Sequence, residues 1–165
     1  MSRLESKIVT RAELPKRLQD LRELRPRIVF TNGCFDLIHA GHVRYLEDAR
    51  ALGDALVLGL NADASVRRLK GPSWPIVHEE DRAVVLAALE SISLVVLFEE
   101  DTPDQLIREV LPDVLVKGGD YVAEEIVGYD TVTQSGGRVE IIPFLPGRST
   151  SNLVSRIQDS SENPL

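Results

Sequence analysis

The run Ala55-Leu56-Val57-Leu58-Gly59-Leu60 contains no polar side chain and ends abruptly at Asn61-Ala62-Asp63. A strand with one wet face would alternate apolar and polar residues. An unbroken run of this length instead fits a strand covered on both faces, in a parallel sheet between two layers of helices. Three further apolar runs, Ile28-Val29-Phe30, Leu94 to Phe98 and Val114-Leu115-Val116, have the same character, and Val139 to Ile142, interrupted by Glu140, reads as a fifth strand. Helical patterns separate them. Leu14, Leu18 and Leu21 follow a Thr10/Glu13 capping box, and His42 to Leu52, Ala64 to Leu69 and Glu79 to Glu90 come next. The Thr102-Pro103 cap then opens a helix to Leu111, and Ala123 to Ser135 and Ser149 to Gln158 complete the set. Strands alternating with helices specify an α/β domain. Right-handed crossovers make it a Rossmann-like, doubly wound, mainly parallel five-stranded sheet with helices on both faces.

The length of 165 residues fits one domain over residues 1–158, with 1–26 as an N-terminal helical extension and 159–165 as a disordered tail. In a sheet of this kind ligands lie outside the carboxyl ends of the strands, where the strand order reverses. The polar residues just after each strand are therefore the ones expected to work: Asn32 to His42, Asn61 and Asp63, Lys117 to Asp120, and Arg148 to Ser151.

The densest of these stretches is Thr31-Asn32-Gly33-Cys34-Phe35-Asp36-Leu37-Ile38-His39-Ala40-Gly41-His42. Gly33 lets the chain turn sharply at the end of its strand, and Gly41 leaves no side chain over the start of the next helix. His39 and His42 flank that helix start, where unpaired amides and partial positive charge favour anions. The last helix opens Gly147-Arg148-Ser149-Thr150-Ser151, which sets a cation and three hydroxyls at a second positive helix end. Between them, Lys70-Gly71-Pro72-Ser73-Trp74-Pro75 is too rich in proline and glycine for regular structure and is expected to be a loop over the site.

The string from Thr31 to His42 resembles the His-x-Gly-His signature of the nucleotidyltransferase superfamily, in its cytidylyltransferase-like branch, whose members carry Gly-x-Phe-Asp before it. The Ser/Thr-rich start of the last helix is similar to the superfamily's second motif, which holds the distal phosphates of the nucleotide. Lys70-Gly71-Pro72, Glu80-Asp81-Arg82, Val116-Lys117-Gly118-Gly119-Asp120-Tyr121 and Gly147-Arg148-Ser149-Thr150 together resemble the D-glycero-β-D-manno-heptose 1-phosphate adenylyltransferases. The resemblance runs from about Arg27 to Ile157. In many relatives the domain is fused to a sugar kinase; here it is either a stand-alone enzyme or an excised half.

This resemblance implies transfer of an adenylyl group from ATP to a sugar 1-phosphate, giving ADP-heptose for lipopolysaccharide cores. An acceptor phosphate needs no activated protein nucleophile, so catalysis is positioning and charge stabilisation. By the same resemblance His39 and His42 act on the transferring phosphate, and Lys70 and Arg82 bring positive charge over it. Nucleotide contacts fall to Thr31, Asn32, Gly33, Cys34, Phe35, Gly41, Lys117, Gly118, Asp120, Arg148, Ser149, Thr150 and Ser151, and acceptor contacts to Asp36, Asn61, Asp63 and Trp74. Mg²⁺ would enter with ATP rather than occupy a protein cage, with Asp36 as the one candidate carboxylate. Trp74 is a departure, because relatives usually have arginine before the loop proline.

Other roles stand beside these. His39 and His42 as a zinc pair lack a third ligand nearby, His78 being the only other histidine. Cys34 without a neighbouring base fits a packing residue better than a nucleophile. Asp36, Asp63 and Asp120 have the alternative of capping turns or helices, Lys70 and Arg82 of a solvated surface, and Trp74 of packing the loop. Two other functions compete: a cytidylyltransferase for glycerol 3-phosphate or ethanolamine phosphate, and a nucleotide-binding module without transfer activity. The net charge of -7 disfavours nucleic acid as a partner. A single cysteine and the absence of a long apolar run point to the cytoplasm and away from the membrane. Homo-oligomer formation is left open.

Overall fold

Strand β3, Ala55–Asn61, is buried along its entire length. It is hydrogen-bonded in parallel to β2, Ile28–Gly33, on one side and to β4, Leu94–Phe98, on the other. A computed structural model describes residues 2–143 and 149–162 of the protein. Its sheet has six strands in the order β1-β4-β3-β2-β5-β6, every pair parallel, with β1 at Ile8–Val9, β5 at Val114–Gly118 and β6 at Arg138–Ile142. The sequence-based count of five omitted β1. It is two residues long and pairs only with β4, so the segment before the first full strand is not purely helical.

The sheet's two faces sort residues by parity, as the pleat requires. Ile28, Phe30, Ala55 and Val57 face a core with Leu14 and Leu18 of α1 (Leu14–Leu24), Leu106, Ile107 and Val110 of α5 (Asp104–Val110), and Val132 of α6 (Tyr129–Gln134). Val29, Leu56, Leu58 and Leu60 face the other core, with Leu46 and Ala49 of α2 (Ala40–Arg50) and Ala83, Leu86 and Ala87 of α4 (Glu79–Ala88). Each fully buried leucine contributes roughly 1.5–3 kcal/mol by leaving water. Two covered faces explain why β3 carries no polar residue before Asn61.

The remaining helices are α3, Asp63–Lys70, and α7, Thr150–Glu162, which runs past the expected end at Gln158. The start of α1 carries the expected box: Thr10 and Glu13 exchange backbone and side-chain hydrogen bonds, with Pro15 in the first turn. The helix expected over Ala123 to Ser135 is interrupted. A 3-10 turn at Ala123–Glu125 and α6 are separated at Gly128, whose φ of 93° is left-handed. A β-carbon there would lie 2.7 Å from Ile107 Cδ1, so close packing on α5 explains why the pattern breaks at a glycine.

The chain crosses outward from β2 to β3 and β4, then returns to lay β5 on the other side of β2. The reversal lies between the carboxyl ends of β2 and β5, where the doubly wound rule places a ligand crevice.

Candidate active site

A cavity of about 820 Å³ opens at that reversal. Its wall comes from the end of β2 and the following turn (Asn32 to Asp36), the first turns of α2, Lys70 at the end of α3, Lys117 and Gly118 at the end of β5, and Ser149, Thr150 and Ser151 at the start of α7. Two helix N-termini far apart in sequence thus meet on one space. Arg148 lies outside the described residues.

The turn into α2 is self-capping. His39 is the N-cap; its Nδ1 accepts from the Gly41 amide at 3.1 Å, and its own amide donates to Nδ1 of His42 at 3.4 Å. Both Nδ1 atoms are therefore acceptors, which puts the proton of each neutral ring on Nε2. The two imidazoles stack with centroids 4.0 Å apart, and Phe35 lies against His42 at 5.4 Å. Burial, followed by nearby His39 and Lys70, pulls the His42 pKa from 6.5 to about 4. At neutral pH His42 is a neutral ring with one donor.

Positive charge in the cavity wall comes from Arg44, Lys70 and Lys117. Burial lowers the Lys117 pKa, and its ammonium lies 5.8 Å from the Tyr121 ring centroid. Lys70 stands over Trp74 in the same manner at 5.4 Å. Each cation is held over an aromatic face four residues further along the chain. Burial raises the Cys34 pKa, so this thiol in the cavity wall stays protonated.

Several sequence-predicted residues stand apart from this space. Thr31 is fully buried, 2.7 Å from the Tyr45 hydroxyl through its own, and the pKa of Tyr45 is pushed to about 12 by burial. Asn61 donates to Ser65 Oγ at 2.9 Å, deep under α3. Asp63 bonds His78 at 3.0 Å and Arg82 at 2.8 Å. Burial alone would raise the Asp63 pKa, but the hydrogen bonds from His78 and Arg82 outweigh it and lower it. Arg82 is buried, and its Nε, Nη1 and Nη2 each donate to a protein acceptor. Asp120 is exposed and outside the cavity wall; Trp74 is half-buried and also outside it, apart from its contact with Lys70. Asp36 does line the cavity, and both its oxygens accept backbone amides, from Ile76 and Val77.

Sequence reasoning missed Arg44, Glu47, Asp48, Tyr121 and Asn152, which also line the wall, together with Tyr45, Ile142 and Pro143. For Arg44 a signal existed, since it lies two residues past His42 on the same opening of α2. Tyr121 carried one also, as an aromatic next to a strand-end glycine pair. Among the described residues no group of three or more His, Cys, Asp or Glu could hold a metal ion. No described helix is long and apolar enough to cross a membrane.

The family model for cytidylyltransferase-like domains matches residues 30–150. The chain is 57% identical over 158 residues to the bifunctional protein HldE of Syntrophotalea carbinolica, covering 96% of this chain and 32% of that protein. It is 55% identical over 153 residues to the HldE of Trichlorobacter lovleyi, covering 93% of this chain and 31% of the relative. The chain thus spans about a third of the length of these curated relatives. Among solved structures, the lipopolysaccharide core biosynthesis protein of Thermoplasma volcanium superposes with a TM-score of 0.60 at 29% identity, covering 72% of this chain and 96% of that one.

Proposed function

The chain belongs to the cytidylyltransferase-like family, and from that premise we propose that it is an ATP-dependent adenylyltransferase acting on D-glycero-β-D-manno-heptose 1-phosphate in the cytoplasm. The observation that carries this reading is the convergence on one cavity of two stacked imidazoles at the start of α2, Lys70, Lys117 and the hydroxyl-bearing start of α7. Four separate sources of positive charge or N–H donors around one space suit a triphosphate and a second phosphate together. The heptose assignment is supported by the Lys70-Gly71-Pro72 and Val116-to-Tyr121 strings and by a structural neighbour named for lipopolysaccharide core biosynthesis.

In this mechanism the acceptor's phosphate oxygen, already ionised, attacks the α-phosphorus of ATP in line. The new P–O bond forms as the bond to the β-phosphate oxygen breaks, and the electron pair leaves with pyrophosphate. His42, neutral with its proton on Nε2, donates to the oxygens whose negative charge grows in the transition state. A donor preorganised in a partly desolvated site is worth more there than in water. Lys70 and Lys117 neutralise the crowded phosphates, and Ser149, Thr150 and the amides of α7 hold the distal end of the nucleotide. Mg²⁺, arriving on the triphosphate, would supply further charge neutralisation. The carboxylates in the cavity wall are Asp36, Glu47 and Asp48.

The test is a matrix of ATP or CTP against heptose 1-phosphate, glycerol 3-phosphate and ethanolamine phosphate, followed by pyrophosphate release. Release with ATP and the heptose alone is expected. Release with another pair would keep the chemistry and overturn the substrate. Nucleotide binding with no release from any pair would favour a binding module.

A further inference from the structure

Arg82 heads the large side chains that the fold closes off from water, with 1% of the residue exposed. Its guanidinium is committed in three directions: to the Val77 carbonyl at 2.9 Å, to the Cys34 carbonyl, and to Oδ1 of Asp63 at 2.8 Å. Asp36, 5% exposed, meets the same segment from the other side, accepting from the amides of Ile76 and Val77 at 2.8 Å each. Val77 is thus gripped by both its N–H and its C=O. The two ends of this bracket belong to the two segments that carry the proposed chemistry. Cys34 and Asp36 lie in the turn that leads to His39, and Ile76 to His78 close the loop that begins after Lys70. Between Cys34 and Asp36, Phe35 sits at a left-handed φ of 45°, a conformation that costs a non-glycine residue about 1 kcal/mol or more and persists only when its surroundings enforce it.

We propose that Arg82, together with Asp36, is a positioning residue for the transfer reaction: it locks the histidine turn and the Lys70 loop into one rigid unit and does not contact phosphate. The inference rests on the nucleotidyl-transfer reading of the cavity. The Arg82 side chain is fully closed off from water, so a phosphate reaches it only if this bracket opens, and each buried acceptor then left unpaired costs about 1–3 kcal/mol. Lysine keeps the charge at this site, but a single ammonium cannot reproduce the planar fork that meets three divergent acceptors. A cation that serves only by its charge would tolerate the exchange, whereas a bracket would not.

Arg82→Lys and Asp36→Asn separate these roles, each examined without ligand by NMR and with substrates by steady-state kinetics. A bracket role gives a shifted His42 ring Cε1–Hε1 resonance and faster amide exchange at Ile76 and Val77, both in the ligand-free protein. In turnover kcat falls by about tenfold or more, while KM for ATP and for the sugar phosphate changes by less than about threefold. An unmoved His42 resonance with unchanged exchange, or a raised KM at unchanged kcat, would overturn the proposal and make Arg82 a direct phosphate contact. If Arg82→Lys does not fold, Asp36→Asn decides alone: wild-type kcat and wild-type exchange at Ile76 and Val77 would overturn the bracket. Failure of the transferase reading looks different, because the unsubstituted protein would then be inactive with every substrate pair while the ligand-free measurements still report on the bracket.

Discussion

Replacing His42 with asparagine should blunt the loss of folding stability on acidification. Burial of the ring, and after it the proximity of His39 and Lys70, lowers the His42 pKa from 6.5 to about 4. The unfolded chain restores the ordinary value, so between those two pH values the unfolded state binds a proton that the folded state refuses. For a basic group with a depressed folded-state pKa, stability is highest above the unfolded value and falls as pH drops toward the folded one. Going from about pH 7 to about pH 5 would cost about 2 kcal/mol from this ring if it were wholly shut off from water. Because the ring lines an open cavity, about 1 kcal/mol is the expected size after solvent screening. Urea unfolding of the protein and of His42→Asn at both pH values reads this as a difference of differences, with the variant losing about 1 kcal/mol less on acidification. Equal losses in the two proteins would refute the reasoning, and with it the neutral ring with one Nε2 donor.

Three further outcomes are expected. Thr150→Ala should raise the KM for ATP by about tenfold, the value of one hydrogen bond to a charged group, with kcat little changed; an unaltered KM would move the triphosphate away from α7. Trp74→Arg should lower the KM for the acceptor if that loop position faces its phosphate, and an unchanged KM would leave Trp74 as the platform under Lys70. Gly128→Ala forces a β-carbon into a left-handed residue 2.7 Å from Ile107 and should cost about 1–3 kcal/mol in denaturant unfolding, with activity per folded molecule preserved. An unshifted midpoint would show that the break between the 3-10 turn and α6 relaxes freely.

Burial on both faces leaves a plain record in sequence, so β2 to β5 and the crevice at their carboxyl ends were legible from apolar runs, while the half-buried edge strand β6 was legible from a run broken by Glu140. The cavity's imidazoles and lysines were legible because they follow strands or begin helices, where local geometry settles their direction. Strand β1 was not, since two residues give no periodicity and their partner, β4, lies 87 positions away along the register Ile8 to Val95. Gly128 was read through as helix because propensity over a window outweighs one glycine; its packing against Ile107 is a tertiary fact. For Arg82, Asp63 and Asp36 the sequence leaves two roles open. A charged side chain near a site has the same sequence signature whether it faces the ligand or holds the backbone behind it, and only the bond partners at Val77, Cys34 and Ile76 separate the two.

Turnover by His42→Asn shows whether transfer happens where the α2 imidazoles meet the α7 start. With ATP, Mg²⁺ and heptose 1-phosphate, the folded variant is expected to release pyrophosphate at least about a hundredfold more slowly than the unsubstituted protein, as loss of one preorganised donor implies. Its affinity for ATP should stay within about threefold, since the lost interaction belongs to the transition state. Turnover within about twofold of the original, in a variant that still binds ATP, would contradict the account and place the chemistry elsewhere.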